Sequence, residues 1–265
     1  MNIIFFGNQK LVQGIKPDIT PVTDILEQAG HKIIAHILTK EDLLKIPEIL
    51  EQHPTAVAVL ASFGYIVPGS IISLFEPLGI LNIHPSLLPK YRGSTPIETA
   101  IASGDKQTGV SIMKIVKAMD AGDVYAQKTI EISPTDTKFT LAQKLTTLGA
   151  FSLVEILNNP STPKPQSGTP TFTEKLTKQM SALRPDTKTA TQLDREIRAF
   201  LSFPKSKITL MGKSCIILKA HPATTRQTPL DLKCSDNNYL IIDELLPENS
   251  KKMTALDFLN GHHPQ

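Results

Sequence analysis

Asn82 and His84 stand two residues apart in "NIHPSLLPKYRGSTP", and Asp120 follows 38 residues after Asn82 in "KAMDAGD". A carboxamide, an imidazole and a carboxylate suit acyl transfer to an amine. Asn82 could donate a hydrogen bond to an oxygen on which negative charge develops. His84 could do likewise or move a proton. Asp120 could orient His84, raise its pKa, and help remove the amine's proton through water. The same residues also read as plain structure: a histidine satisfied at a strand end, and an aspartate in the turn before Ala121 and Gly122.

Such a set works only if the chain brings it together, and the flanking pattern says how. "MNIIFFGN", "HKIIAHIL", "TAVAVLASF" and "GILNIHP" are apolar runs of strand length. Between them lie helical stretches: "TPVTDILEQAG" (Thr20–Gly30), "KEDLLKIPEILEQH", which Pro47 bends or restarts, and "SIISLFEP". Strands alternating with helices predict βαβ units and a mostly parallel, Rossmann-like sheet. Crossover helices bury both faces of such a sheet, so its strands are apolar throughout rather than alternating. Ligands bind such sheets outside the carboxyl ends of the strands. Asn82 and His84 lie at one carboxyl end and alternate, so they point the same way. Asp120 follows the strand "GVSIMKIV", so the two loops could face one crevice. A helix ("IETAIASG"), a strand ("VYAQKTIEI") and a long helix through "KFTLAQKLTTLGAFSLVEILNN" complete the region. Leu141, Leu145 and Leu148 share one face of that long helix.

The composition then changes. Pro160, Pro163, Pro165 and Pro170 sit among Ser, Thr and Gly, which predicts an extended linker at 159–175 between a domain at 1–158 and a second at 176–265. "TATQLDREIRAF" is amphipathic, with a cap-like Thr191 and with Leu193, Ile197, Phe200 and Leu201 on one face; Arg195 and Arg198 lie elsewhere. "KITLMG", "SCIILKAH" and "LDLKCSDNNYLIIDELLP" predict a smaller β-rich domain, an OB-like barrel. Residues 1–158 hold 13 Lys/Arg against 15 Asp/Glu, and residues 159–265 hold 15 against 10. The net charge of +3 therefore resolves into −2 and +5. The basic part is either a solvated lysine-rich surface or a polyanion contact.

Other motifs fail on inspection. "GKS" at Gly212–Ser214 lacks the phosphate-loop glycine, since Lys207 stands five residues earlier. No G-x-G-x-x-G or G-x-S-x-G occurs, which argues against dinucleotide binding and against Ser86 as a hydrolase nucleophile. Cys215 and Cys234 have no ligand spacing, and His262 and His263 no partner ligands. No metal site is expected, and a reducing compartment is. "MNIIFFGN" has no basic flank and is too short for a signal peptide or membrane span, so a cytoplasmic protein without a membrane partner is expected.

"NIHPSLLPKYRGSTPI" and "GVSIMKIVKAMDAGDV" resemble the two signatures of the 10-formyltetrahydrofolate-dependent formyltransferases, in content, order and separation. The resemblance implies a folate formyl donor, with 10-formyltetrahydrofolate as co-substrate. It implies that Asn82, His84 and Asp120 are the catalytic set. Ser86, Leu87, Leu88 and Pro89 match the family's folate-contacting segment, and "SFGYIVP" (Ser62–Pro68), with Phe63, Gly64, Tyr65 and Ile66, matches its pterin loop. "LIIDELLPENSKKMTALDFLNGH", "KLT" before a capped helix with "IRAF", and "GSTPI" are similar to the methionyl-tRNA branch. That branch implies an aminoacylated initiator tRNA as acceptor, a monomer, and tRNA phosphates held by the basic second domain, with Arg195 and Arg198 as candidate contacts. The alternatives are a formyltransferase for a nucleotide-linked amino sugar, or an idle relative that binds RNA or folate without turnover. Three features depart from the branch. "FFGNQKLVQGIKPDITPVTDIL" lacks the usual Gly-Thr/Ser start, "HIL" runs into "TKEDLLKI" without the usual basic loop, and "SALRPDT" (Ser181–Thr187) stands where a tryptophan is common.

Overall fold

A computed structural model describes residues 1–7 and 22–261. The stretch after Gly7, the start of the first predicted helix at Thr20, and His262 and His263 lie outside the described residues.

Six strands form the first sheet: β1 (Asn2–Gly7), β2 (Lys32–Ile37), β3 (Val57–Ala61), β4 (Ile80–His84), β5 (Gln107–Lys114) and β6 (Val124–Glu131). Their order is β2-β1-β3-β4-β5-β6. The first three pairings in that order are parallel and the last two antiparallel. The antiparallel pair is a hairpin whose loop carries Asp120, and β6 is only half-buried, as befits an edge.

Helices α1 (Val22–Gln28), α2 (Ile46–Gln52), α3 (Gly69–Ile72), α4 (Pro96–Ser103) and α5 (Lys138–Asn158) follow the predicted pattern. Pro47 stands in the first turn of α2, after a 3-10 turn over Glu41–Lys45; it restarts the helix, where its missing N–H costs nothing. Each face of the sheet has its own core. Ile3, Phe5, Val59, Leu81, Ile83 and Ile112 pack on Ile25 and Leu26 of α1 and Leu153 and Ile156 of α5. Ile4, Phe6, Ala58, Leu60 and Ile80 pack on Leu43, Ile46 and Phe75.

The second sheet is antiparallel: β7 (Ser206–Leu210), β8 (Lys213–Ala223), β9 (Leu232–Lys233), β10 (Tyr239–Pro247) and β11 (Met253–Thr254). Its order is β11-β10-β8-β7, with β9 on β10, and it forms a half-barrel. Irregular register near Asp243 and Glu244 lets β10 bend, as bulges do. Met211 and Gly212, both with positive φ, make the two-residue turn between β7 and β8; Gly212 of "GKS" is thus a hairpin residue. Helices α6 (Ala190–Ala199) and α7 (Ala255–Gly261) close this core through Leu193, Ile197 and Phe258. The cap of α6 is Thr189, not Thr191: the Thr189 hydroxyl accepts from Gln192 N and the Gln192 side chain returns a bond to Thr189 N. The capping box needs the glutamine three residues on, and only Thr189 has one.

The compact units do not follow the chain linearly. One comprises residues 1–96, 107–131 and 142–173; the other comprises 97–106, 132–141 and 174–265. The proline-rich segment is held along the first unit. Lys164 bridges Val124 and Phe172 bridges Arg92.

Candidate active site

Along β4, Leu81 and Ile83 turn into one core. Asn82 and His84 therefore face the other side, and both are buried, at 6% and 4% exposure. Across the sheet they stand beside Met113 and Ser111 of β5. Pro85 then ends the ladder, and the chain turns.

His84 Nε2 lies 3.1 Å from the Tyr91 carbonyl oxygen. A carbonyl only accepts, so Nε2 carries the proton and the neutral ring presents a lone pair at Nδ1. Nδ1 is 3.7 Å from Asp120 Oδ1, too far for a hydrogen bond but close enough for an ion pair. Burial pushes the imidazole pKa down, and the Asp120 carboxylate and the Tyr91 carbonyl push it partly back up. The arrangement favours a neutral ring at rest, with a carboxylate placed to stabilise it once Nδ1 gains a proton. Asp120 itself adopts φ 48°, a left-handed backbone that aspartate tolerates better than most residues. Its Oδ2 accepts a 2.7 Å bond from Gly93 N. The two loops thus meet through this carboxylate.

Among the described residues, no hydrogen bond engages the Asn82 carboxamide. The only side-chain nitrogen or oxygen among the described residues that is fully buried without a partner is His31 Nε2, so the Asn82 amide keeps contact with solvent and is free to bond a ligand at the strand's carboxyl end.

The segment after His84 is fixed from beneath. Ser111 Oγ donates to Ser86 O (2.6 Å) and accepts from Leu88 N (3.0 Å). Gln127 Nε2 donates to Leu88 O (2.8 Å) and to Ser111 Oγ (2.9 Å). Ser86 Oγ donates to Lys90 O. Ser86 and Leu88 therefore point inward, while Leu87 and Pro89 are half-buried. Leu87 packs over Gly109, where a Cβ would meet Lys128 O at 2.2 Å. In the Ser62–Pro68 loop, Phe63 stands edge-on to Phe6 (5.6 Å) and to Tyr65 (5.4 Å). Gly64 is exposed, and so are Tyr65 and, at 91%, Ile66.

On α6, Arg198 is held internally: it donates to Asp194 Oδ2 through Nε and Nη2 and to Asp136 O through Nη1 (2.7 Å). Arg195 is half-buried, and its guanidinium lies over Gly104. Among the described residues, no group of three or more His, Cys, Asp or Glu could hold a metal, and no helix is long and apolar enough to cross a membrane.

Residues 10–157 match the formyl transferase family, and residues 175–263 match the formyl transferase C-terminal domain. The chain belongs to the formyl transferase family. It is 32% identical to the methionyl-tRNA formyltransferase of Methylobacillus flagellatus, over 94% of this chain and 84% of the relative. It is 33% identical to that of Enterococcus faecalis, over 94% and 84%. Among solved structures, methionyl-tRNA formyltransferase from Clostridium thermocellum aligns with a TM-score of 0.63 at 17% identity, over 96% of this chain and 100% of that one. HypX from Aquifex aeolicus in complex with tetrahydrofolic acid aligns with a TM-score of 0.71 at 17% identity, over 98% of this chain but only 47% of HypX.

Several residues of this candidate site escape a reading by motif. Ser111 and Gln127 lie in strands, and the one hint is a serine inside the apolar run "GVSIMKIV". The Tyr91 carbonyl has no side-chain signature. Gln166 lies in the proline-rich stretch, where no periodicity marks it.

Proposed function

We propose that this formyl transferase moves the formyl group of 10-formyltetrahydrofolate to the α-amino group of methionyl-tRNA, the charged initiator. The folate supplies an activated formyl carbon and departs as an amine. The Asn82 carboxamide, free of protein partners and beside His84 and Asp120, is the observation that carries the reading. It donates to the formyl oxygen as negative charge builds there. His84, neutral at rest, takes up a proton at Nδ1 as the acceptor amine loses it, directly or through water. Asp120 stabilises the imidazolium that results and holds the ring against the Tyr91 carbonyl, and the proton passes on to N10 of the folate as the formyl C–N10 bond breaks. The Ser86–Pro89 segment and the loop with Phe63, Gly64, Tyr65 and Ile66 form the folate side. Exposed Tyr65 and Ile66 offer an apolar edge to a flat heterocycle.

The division of labour follows the charge. Residues 1–158 carry the chemistry, and the basic residues after 175 hold tRNA phosphates. Arg195 contacts phosphate, while Arg198, engaged with Asp194 and Asp136, adds to the positive field and fixes α6. The reading includes a cytoplasmic, monomeric enzyme.

A second reading is transfer to an amino sugar. An N-formyltransferase from Helicobacter canadensis in complex with folinic acid and dTDP-3-aminofucose aligns with a TM-score of 0.63 at 15% identity, over 91% of this chain and 98% of that one. Incubation with 10-formyltetrahydrofolate and either methionyl-tRNA or a panel of nucleotide-linked amino sugars separates the two. Folate release is expected with methionyl-tRNA alone. Release with a sugar overturns the first reading, and no release with any acceptor favours an idle relative.

A further inference from the structure

Gln166 sits in the proline-rich segment that follows α5, flanked by exposed Pro165 and Ser167, yet its own side chain is half-buried. Both ends of its carboxamide are fully used. Nε2 donates to Asp120 O (2.7 Å) and to Gly122 O (2.8 Å). Oε1 accepts from Arg92 Nε (3.1 Å) and Arg92 Nη2 (2.6 Å). Two donors and two lone pairs are all that a carboxamide has. One side chain therefore bridges the loop that carries Asp120 and the loop that carries Tyr91 and Arg92.

Those two loops hold the two groups that flank His84. Tyr91 supplies the carbonyl on Nε2, and Asp120 supplies the carboxylate near Nδ1. Both Tyr91 (φ 59°) and Asp120 (φ 48°) have left-handed backbones, which need outside contacts to persist. At Asp120 the contact is Gln166 on its carbonyl. At Tyr91 it is the same segment, since Tyr91 N donates to Thr171 Oγ1 (2.9 Å) and Arg92 N to Thr171 O (2.9 Å). Gly122 leaves no slack beneath, because a Cβ there would meet Lys114 O at 1.8 Å.

We propose that Gln166 is a positioning residue for formyl transfer: it clamps the Asp120 loop to Arg92 and so sets where the Asp120 carboxylate stands relative to His84. Its carboxamide is spent on these four protein bonds, and the proposal rests on the transfer mechanism above. The proline-rich segment is then a wall of the site as well as a connection between domains.

Gln166→Met keeps the length of the side chain and removes all four bonds. Turnover of methionyl-tRNA should fall on the order of 10²-fold, the scale for a misplaced catalytic group, with the KM for the folate unchanged. In an Asp120→Asn background the same change should cost little more, because both act through one carboxylate. Near-normal turnover, or losses that multiply in the double variant, would overturn the proposal. A measurement without turnover keeps it separate from the reading of function: NMR titration of the His84 ring. As the carboxylate drifts away, the imidazole pKa should fall in Gln166→Met, whatever the acceptor. An unmoved titration would overturn the clamp even in an active enzyme. An inactive wild type with a lowered titration would sink the acceptor and leave the clamp standing. Gln166→Asn, one methylene too short to span both loops, serves if the methionine variant does not fold, with the same results expected.

Discussion

Replacing Asp120 by asparagine changes charge with almost no change in shape. The asparagine oxygen can still accept the bond from Gly93 N that Oδ2 takes at 2.7 Å, and its amide faces the lone pair of His84 Nδ1. The fold should survive. What goes is the attraction between a carboxylate and the imidazolium formed during transfer. At 3.7 Å and an effective dielectric constant of about 20, that attraction is about 4.5 kcal/mol. A barrier raised by that amount slows the reaction about 10³-fold, inside the roughly 10²–10⁴-fold range of acid–base assistance. The assay is rapid-quench formylation of methionyl-tRNA at saturating folate, with folate affinity measured alongside and expected to change little. The pH behaviour has a definite sign. Burial already holds His84 below its ordinary 6.5, and Asp120 opposes that shift. Asp120→Asn should therefore move the His84 titration to still lower pH. Turnover within tenfold of wild type in a folded Asp120→Asn protein would refute the mechanism.

Asn82→Ala should cost on the order of 10²–10³-fold in turnover, as for a lost oxyanion donor, with folate affinity much less affected. Ser111→Ala strips partners from the buried Leu88 N–H and Ser86 C=O. At about 1–3 kcal/mol per orphaned group it should lower stability by roughly 2–6 kcal/mol and Tm by roughly 4–24 °C, and calorimetry with folate titration should show a weakened donor site. Arg195→Glu should weaken tRNA binding and flatten its log-salt slope by about one unit. Arg198→Gln should instead lower stability and leave that slope nearly intact, as filter binding at several salt concentrations would show.

The parts legible in the sequence are those governed by local rules. Apolar runs broken by glycine and proline mark β1 to β4, and alternation at Asn82 and His84 puts both side chains on one face. The antiparallel turn of β5 and β6 was hidden, because a buried strand looks the same whichever way it runs. Thr191 passes for the cap of α6 because both threonines precede the apolar stripe; the partner glutamine decides for Thr189. Arg198 looks like a surface cation on a helical wheel, yet Asp136, 62 residues away in sequence, takes its guanidinium. Tyr91, Ser111, Gln127 and Gln166 contribute through contacts between distant segments, and no spacing rule reports those.

The central claim is that the formyl carbon ends on the amino group of the methionine esterified to tRNA. It is tested most directly with 10-formyltetrahydrofolate labelled in the formyl group and methionyl-tRNA, followed by mass spectrometry of the amino acid released from the tRNA. The account predicts labelled N-formylmethionine, formed in equal amount with tetrahydrofolate and only with the charged tRNA. Unmodified methionine beside a formylated amino sugar from the same preparation would contradict it.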